Sequence, residues 1–122
     1  MRGRDATKEK YKMSFTVPAA SGSYAPERIA FGEVKAGQAP DSFQGVTAAV
    51  LTTVASAVVE LWLPRVDIAG GTHLDTDYTY SGQALDAATG GETFVLAGYP
   101  GAQIRVKSGG SAGAMVVSAS AF

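Results

Sequence analysis

The chain has no cysteine, one histidine and one tryptophan among its 122 residues. Without cysteine it has no disulfide, no thiol nucleophile and no thiolate metal site. Charge is sparse too: 17% of residues are Asp, Glu, Lys or Arg, against about a quarter in an average domain. A surface this poor in charge suits packing against other protein better than solvating a free monomer. No repeat at a fixed period is visible. Phosphate-loop chemistry is missing as well: Gly109-Gly110 follows Lys107 without a Walker pattern or a helix start. Gly70-Gly71 and Gly90-Gly91 read as turns.

A chain of this length fits one domain and can bury a core without staples. Its formal net charge of −1 hides an asymmetry. Within residues 1–12, Arg2, Arg4, Lys8, Lys10 and Lys12 outweigh Asp5 and Glu9, while the rest of the chain is acidic. The basic stretch has only Tyr11 as a large apolar side chain, so it reads as a tail that cannot bury itself. No apolar stretch of a secretory signal follows it, and Met13-Ser-Phe-Thr-Val-Pro has the form of a second start. Five cations with one aromatic, on an acidic body, make a poor nucleic-acid footprint. An arm that orders on an acidic or polymeric partner fits better.

The clearest pattern lies at the other end. Thr93–Gly98 reads as a strand, Tyr99-Pro100-Gly101 as a turn. In Ala102–Lys107, Ala102, Ile104 and Val106 face one way and Gln103, Arg105 and Lys107 the other. Ser108–Gly113 is a flexible turn. Ala114–Ser120 then returns with Met115, Val117 and Ala119 on one face. These three strands are expected to form a meander. Upstream, Ser14–Val17 is a short strand ended by Pro18, and 18–40 is a Gly-, Pro- and Ala-rich extended segment with islands at Tyr24 and Ile29–Phe31. Asp41–Gln44 looks like a turn.

Val46–Pro64 has the length of a membrane span. However, it contains Glu60 and is dense in Val and Thr, which fit a pleated sheet better than a helix. It is read as two strands, Val46–Val54 and Ala57–Leu63, joined near Ala55-Ser56. Val59, Leu61 and Leu63 then face the core, and Val58, Glu60 and Trp62 face outward. Further short strands are expected at Arg65–Ile68 and Asp77–Tyr80, with a turn over Asp86–Gly91. About eight short strands at regular spacing predict an all-β fold, an antiparallel β-sandwich of jelly-roll type. Residues 1–45 form its extended N-terminal arm and 46–122 the sandwich.

Candidate chemistry is thin. His73, Asp75 and Asp77 would share one face of a strand and offer a divalent-metal ligand set. No second cluster supports it, and the spaced calcium loop is missing, so a solvated polar loop is the simpler reading. A Ser-His-Asp site would need a serine beside His73, and no Gly-x-Ser-x-Gly elbow is expected in the chain. Glu60 is the one acid in an apolar setting, but an outward strand position explains it better than a raised-pKa general acid. No catalytic, cofactor-binding or metal-binding residue is assigned. Trp62, Tyr78, Tyr80 and Tyr99 would make a carbohydrate-binding row if they shared a face. Core or interface packing is the alternative.

Gln103-Ile-Arg-Val-Lys-Ser-Gly-Gly-Ser-Ala-Gly, running into Met115-Val-Val-Ser-Ala-Ser, resembles the C-terminal strands of small tailed-phage virion proteins, as does Met13-Ser-Phe-Thr-Val-Pro at the start. The nearest type is the capsid cement, or decoration, protein. The resemblance implies a non-enzymatic structural subunit on the virion surface, made in the host cytoplasm. It would be a homo-oligomer, with a trimer favoured, bridging major capsid protein subunits without specific nucleic acid, membrane or cofactor. Expected partner contacts are Arg2, Arg4, Lys8, Lys10, Lys12, Tyr24, Phe31 and Trp62. A tail or baseplate module, or a carbohydrate-binding sandwich, is the alternative.

Overall fold

The computed structural model of the chain describes residues 7–32, 42–65 and 75–122. Eight strands follow one another in these residues: β1 Glu9–Val17, β2 Ile29–Phe31, β3 Phe43–Thr52, β4 Val58–Pro64, β5 Tyr78–Asp86, β6 Gly91–Tyr99, β7 Ala102–Lys107 and β8 Gly113–Ala121. Short 3-10 turns at Asp75–Asp77 and Ala87–Thr89 lead into and out of β5. All pairings are antiparallel, and the strands form two sheets of four, in the orders β1-β8-β3-β6 and β2-β7-β4-β5.

The pairs β1 with β8, β2 with β7, β3 with β6 and β4 with β5 are those of one long hairpin folded at the β4–β5 connection. Rolling that hairpin adds the β3–β8 and β4–β7 pairs and splits it into two facing sheets. That is the jelly-roll order, so the expected sandwich class stands. Apolar alternation drives it. Phe15 and Val17 on β1, Met115, Val117, Ala119 and Ala121 on β8, and Ile104 and Val106 on β7 all point between the sheets and are buried. Phe31, Phe43, Phe94 and Leu61 fill the space they leave.

Three expectations change. First, β6, β7 and β8 are not a meander, because β7 lies in the opposite sheet from β6 and β8. Ala97 and Gly98 take positive φ (54° and 85°) at the end of β6, which bends the chain across the sandwich before Pro100. Second, the division into a 1–45 arm and a 46–122 sandwich does not follow the strands. Glu9–Val17 pairs with β8 along its whole length, and Ile29 and Phe31 are core residues. A sequence with one large apolar residue up to Lys12 still forms a strand here, because β8 supplies the backbone partners. Third, β5 runs on to Asp86, past the expected end at Tyr80. Of the proposed strand Arg65–Ile68 all but Arg65, and the whole of the 33–41 stretch, lie outside the described residues. Val46–Pro64 forms β3 and β4, as expected, and no helix among the described residues is long and apolar enough to cross a membrane.

A sandwich leaves four sheet edges with unpaired backbone groups. Here side chains lace them. On the β1–β2 side, Glu27 accepts the Thr16 N–H at 2.7 Å and the Thr16 hydroxyl at 3.0 Å. The Gly32 N–H points at both oxygens of Glu9, at 3.3 and 3.2 Å. On the β5–β6 side, the Gln83 amide donates to the Val95 carbonyl at 2.7 Å and accepts the Val95 N–H at 2.9 Å. Gln83 therefore occupies the place that a neighbouring strand would take on β6.

The Thr16 N–H holds the Glu27 carboxyl below the usual carboxylate range. A depressed folded pKa contributes stability that is present above the unfolded value and lost as pH falls through the folded one. Glu27→Gln is therefore expected to flatten the acid limb of a denaturation-versus-pH curve. A limb of unchanged slope would show that the edge contact does not form. In the core, Leu61→Ala should cost about 3 kcal/mol in urea unfolding, whereas exposed Val95→Ala should cost under about 0.5 kcal/mol.

Candidate functional site

The densest polar arrangement covers the outer face of the β2-β7-β4-β5 sheet. Its centre is Glu60, which faces outward on β4 as its alternation requires but is only 2% exposed. Three donors cover it. The Tyr24 hydroxyl and the Trp62 indole N–H both bond Oε1, at 2.8 and 3.0 Å. Lys107 Nζ lies 3.2 Å from Oε2. Register brings them together: Glu60 lies opposite Arg105, Trp62 opposite Gln103 and Val58 opposite Lys107 on β7. Tyr24 arrives from the β1–β2 connection by bridging to Lys107. A buried carboxylate would be costly alone; here Tyr24, Trp62 and Lys107 supply donors to it.

A second centre adjoins the first. Asp75, in the 3-10 turn before β5, accepts from Gln103 Nε2 at 2.7 Å, and its backbone carbonyl accepts from Arg105 Nη2 at 2.7 Å. Arg28 Nε lies 3.4 Å from Asp75 Oδ2, a charge contact off the line of a hydrogen bond. Arg28 Nη1 donates to the carbonyls of Ala25 and Glu27. Arg105 also bonds Gln103 Oε1 at 2.5 Å and stacks its guanidinium 3.9 Å from the Trp62 ring centroid. Burial lowers the Arg105 pKa, yet a guanidinium still keeps its charge at neutral pH. Ring contacts of Trp62 with Tyr24 and Tyr80, at 6.0 and 5.7 Å, complete the layer.

These contacts bind the layer to itself and leave little for a substrate. Glu60 and Asp75 are occupied by donors, and within this layer no proton acceptor among the described residues is set against a nucleophile. The network's mechanical effect is direct: it fastens two chain connections, at Tyr24–Arg28 and at Asp75, flat onto the sheet. Of the His73, Asp75 and Asp77 set weighed as metal ligands, Asp75 and Asp77 lie in a 3-10 turn and not on a strand face. Asp75 is partnered by a guanidinium and an amide, and His73 lies outside the described residues. The expectation that no Gly-x-Ser-x-Gly elbow exists is corrected by the chain itself: Gly109-Gly110-Ser111-Ala112-Gly113 has that spacing. The stretch leads from β7 into β8, not from a strand into a helix, so it lacks the elbow's context. Gly109 is needed there because a Cβ would fall 2.0 Å from the Ser56 carbonyl oxygen.

The expected contact residues divide. Tyr24 and Trp62 meet in the layer, but their polar atoms are turned to Glu60. Phe31 is a core residue, 1% exposed, packed between Tyr11 and Phe43, and is thereby removed from the partner surface. Lys8 donates to the Ser42 carbonyl at 2.6 Å and sits over the Phe43 ring. Lys10 and Lys12 are exposed on β1, across the sandwich from Glu60. Arg2 and Arg4 lie outside the described residues. Arg28, Gln103, Arg105 and Lys107 were not among the expected residues. The signal for three of them was present: polar residues at every second position of an otherwise apolar strand, opposite a strand holding Glu60.

Of the proposed aromatic row, Tyr78 is buried and Trp62 is stacked by Arg105. Tyr80 and Tyr99 instead line an open cavity of about 440 Å³ with Leu63, Pro64, Thr79 and Ser81. No protein-family model matches the chain, and no curated protein matches it.

Burial and the bond to Glu60 push the Tyr24 hydroxyl up from 10.0 to about 12. A raised tyrosine pKa contributes stability that is complete below the unfolded value and lost as pH climbs through the folded one. Tyrosinate absorbance should therefore show one late phase near pH 12 that Tyr24→Phe removes. An unchanged alkaline titration in that variant would contradict the bond to Glu60. Glu60→Ala strands three donors and is expected to cost about 3–5 kcal/mol in urea unfolding.

Proposed function

We propose that the chain is a structural virion protein, a decoration subunit that stabilises a phage head by bridging major capsid protein subunits. The observation that carries this reading is the division of labour across the sandwich. Edges and one outer face are sealed by the protein's own side chains, and the remaining face, β1-β8-β3-β6, is left for contact. Such a subunit needs rigidity, low charge and broad faces, and it needs no reacting group. The jelly roll serves in viral capsid and lectin domains alike, so the fold by itself is compatible with the reading without deciding it. In this reading the protein sits on the capsid surface as a homo-oligomer, with a trimer favoured, and its basic N-terminal residues meet a neighbouring shell subunit.

One observation favours a second reading. The cavity between Tyr80 and Tyr99 offers two aromatic walls with the hydroxyls of Thr79 and Ser81, a lining that fits a sugar ring. The carbohydrate-binding alternative therefore rests on this cavity and no longer on Trp62.

Quantitative peptide mass spectrometry of purified virions tests the leading reading. The expected result is this chain at a fixed copy number per major capsid protein, removed together with shell stability when the particles are stripped. Virions that lack the chain, combined with glycan-induced NMR shifts at Tyr80 and Tyr99, would transfer support to the carbohydrate reading.

A further inference from the structure

The two outer faces of the sandwich differ in the sign and use of their charges. On the β2-β7-β4-β5 face, Glu60 and Asp75 are matched by Lys107, Arg28 and Arg105. On the β1-β8-β3-β6 face the outward positions are Lys10, Lys12, Ser14 and Thr16 of β1, Val116, Ser118 and Ser120 of β8, Thr47 and Ala49 of β3, and Thr93 and Val95 of β6. None of them is acidic. Register aligns Lys10 with Ser120, Thr47 and Thr93, and Lys12 with Ser118 and Ala49. The two lysines stand about 7 Å apart along the edge strand. Among the described residues neither makes an ion pair or a side-chain hydrogen bond, while Lys8 beside them is held by Ser42. Exposed apolar side chains flank the small-residue centre: Leu51 at the β3 bulge, 51% exposed, and Val95 on β6, 63% exposed.

Resting on the decoration reading above, we infer that this face is the docking surface and that its occupant is a shell-subunit surface that is apolar where it meets Leu51 and Val95 and acidic along the side meeting β1. Charge complementarity selects that partner. Two unpaired cations on a face whose outward strand positions carry no carboxylate, Glu27 being taken up by Thr16 at the far end of β1, call for acids from outside. The same face of a second copy offers none, which excludes a symmetric pairing of this face with itself. Strand addition is disfavoured as the docking mode, because Gln83 holds the Val95 backbone and Glu27 holds that of Thr16. That leaves face-on contact, with small side chains allowing close approach and Leu51 and Val95 supplying apolar area.

The test is co-sedimentation of the purified chain with stripped shells from the same virions, at low and high salt. Wild type should bind, and added salt should weaken binding by screening. The double variant Lys10→Glu, Lys12→Glu should bind roughly tenfold more weakly and lose most of the salt dependence. Its thermal unfolding should match wild type, because neither lysine has a partner to lose. Leu51→Asp should weaken binding with the salt dependence retained. Wild type that binds while the lysine variant binds equally well would overturn this inference and leave the decoration reading standing. Wild type that fails to bind would overturn both. A lysine variant whose mass by light scattering falls while shell binding holds would make a second copy the occupant, and would overturn the inference as well.

Discussion

The structure depends on how a two-sheet sandwich deals with backbone groups that have no strand beside them. Each sheet has two edges, and every unpaired N–H or C=O along them invites another strand. Here the answer is built from side chains of the facing sheet or the adjoining connection. Gln83 reaches from β5 to bind both backbone groups of Val95. Glu27 and Glu9 do the same work between β1 and β2. These contacts join the sheets at their margins, so the core residues between them are held on four sides.

The same logic governs Glu60. An acid facing outward on a strand is ordinarily solvated. This one is covered by Tyr24, Trp62 and Lys107, and the cover extends through Arg105 and Gln103 to Asp75. The result is a second polar layer outside the sheet, tied to it by charge-assisted bonds. It pins two connections that would otherwise leave the sheet. With these side chains committed to one another, this layer keeps little polar capacity free, whereas Lys10 and Lys12 on the other face are exposed.

The sequence made some of this legible and concealed the rest for physical reasons. Strand alternation is local, so the inward positions of β4, β7 and β8 could be read directly. The split of Val46–Pro64 at Ala55-Ser56 could be read for the same reason. Sheet membership is not local. Nothing in Thr93–Phe122 by itself shows that β7 crosses to the opposite sheet, because the crossing depends on the positive φ at Ala97 and Gly98. Strand β1 was underestimated because Glu9–Lys12 carries almost no apolar signal, and its pairing comes from β8. Glu60, Arg105 and Gln103 each look like ordinary solvated positions. Only the register of β4 against β7, with Tyr24 and Asp75 arriving from distant segments, turns them into one buried network.

The absence of cysteine makes one experiment direct. Single cysteines placed at Ser118→Cys, on the β1-β8-β3-β6 face, and at Ala84→Cys, exposed and opposite Glu60 on the other outer face, would each report one side of the sandwich by maleimide labelling. Both sites should label in the free protein. On assembled particles the account predicts that Ser118→Cys becomes protected while Ala84→Cys stays reactive. Protection of Ala84→Cys with Ser118→Cys still open would contradict it, placing the contact on the opposite side from the unpaired lysines.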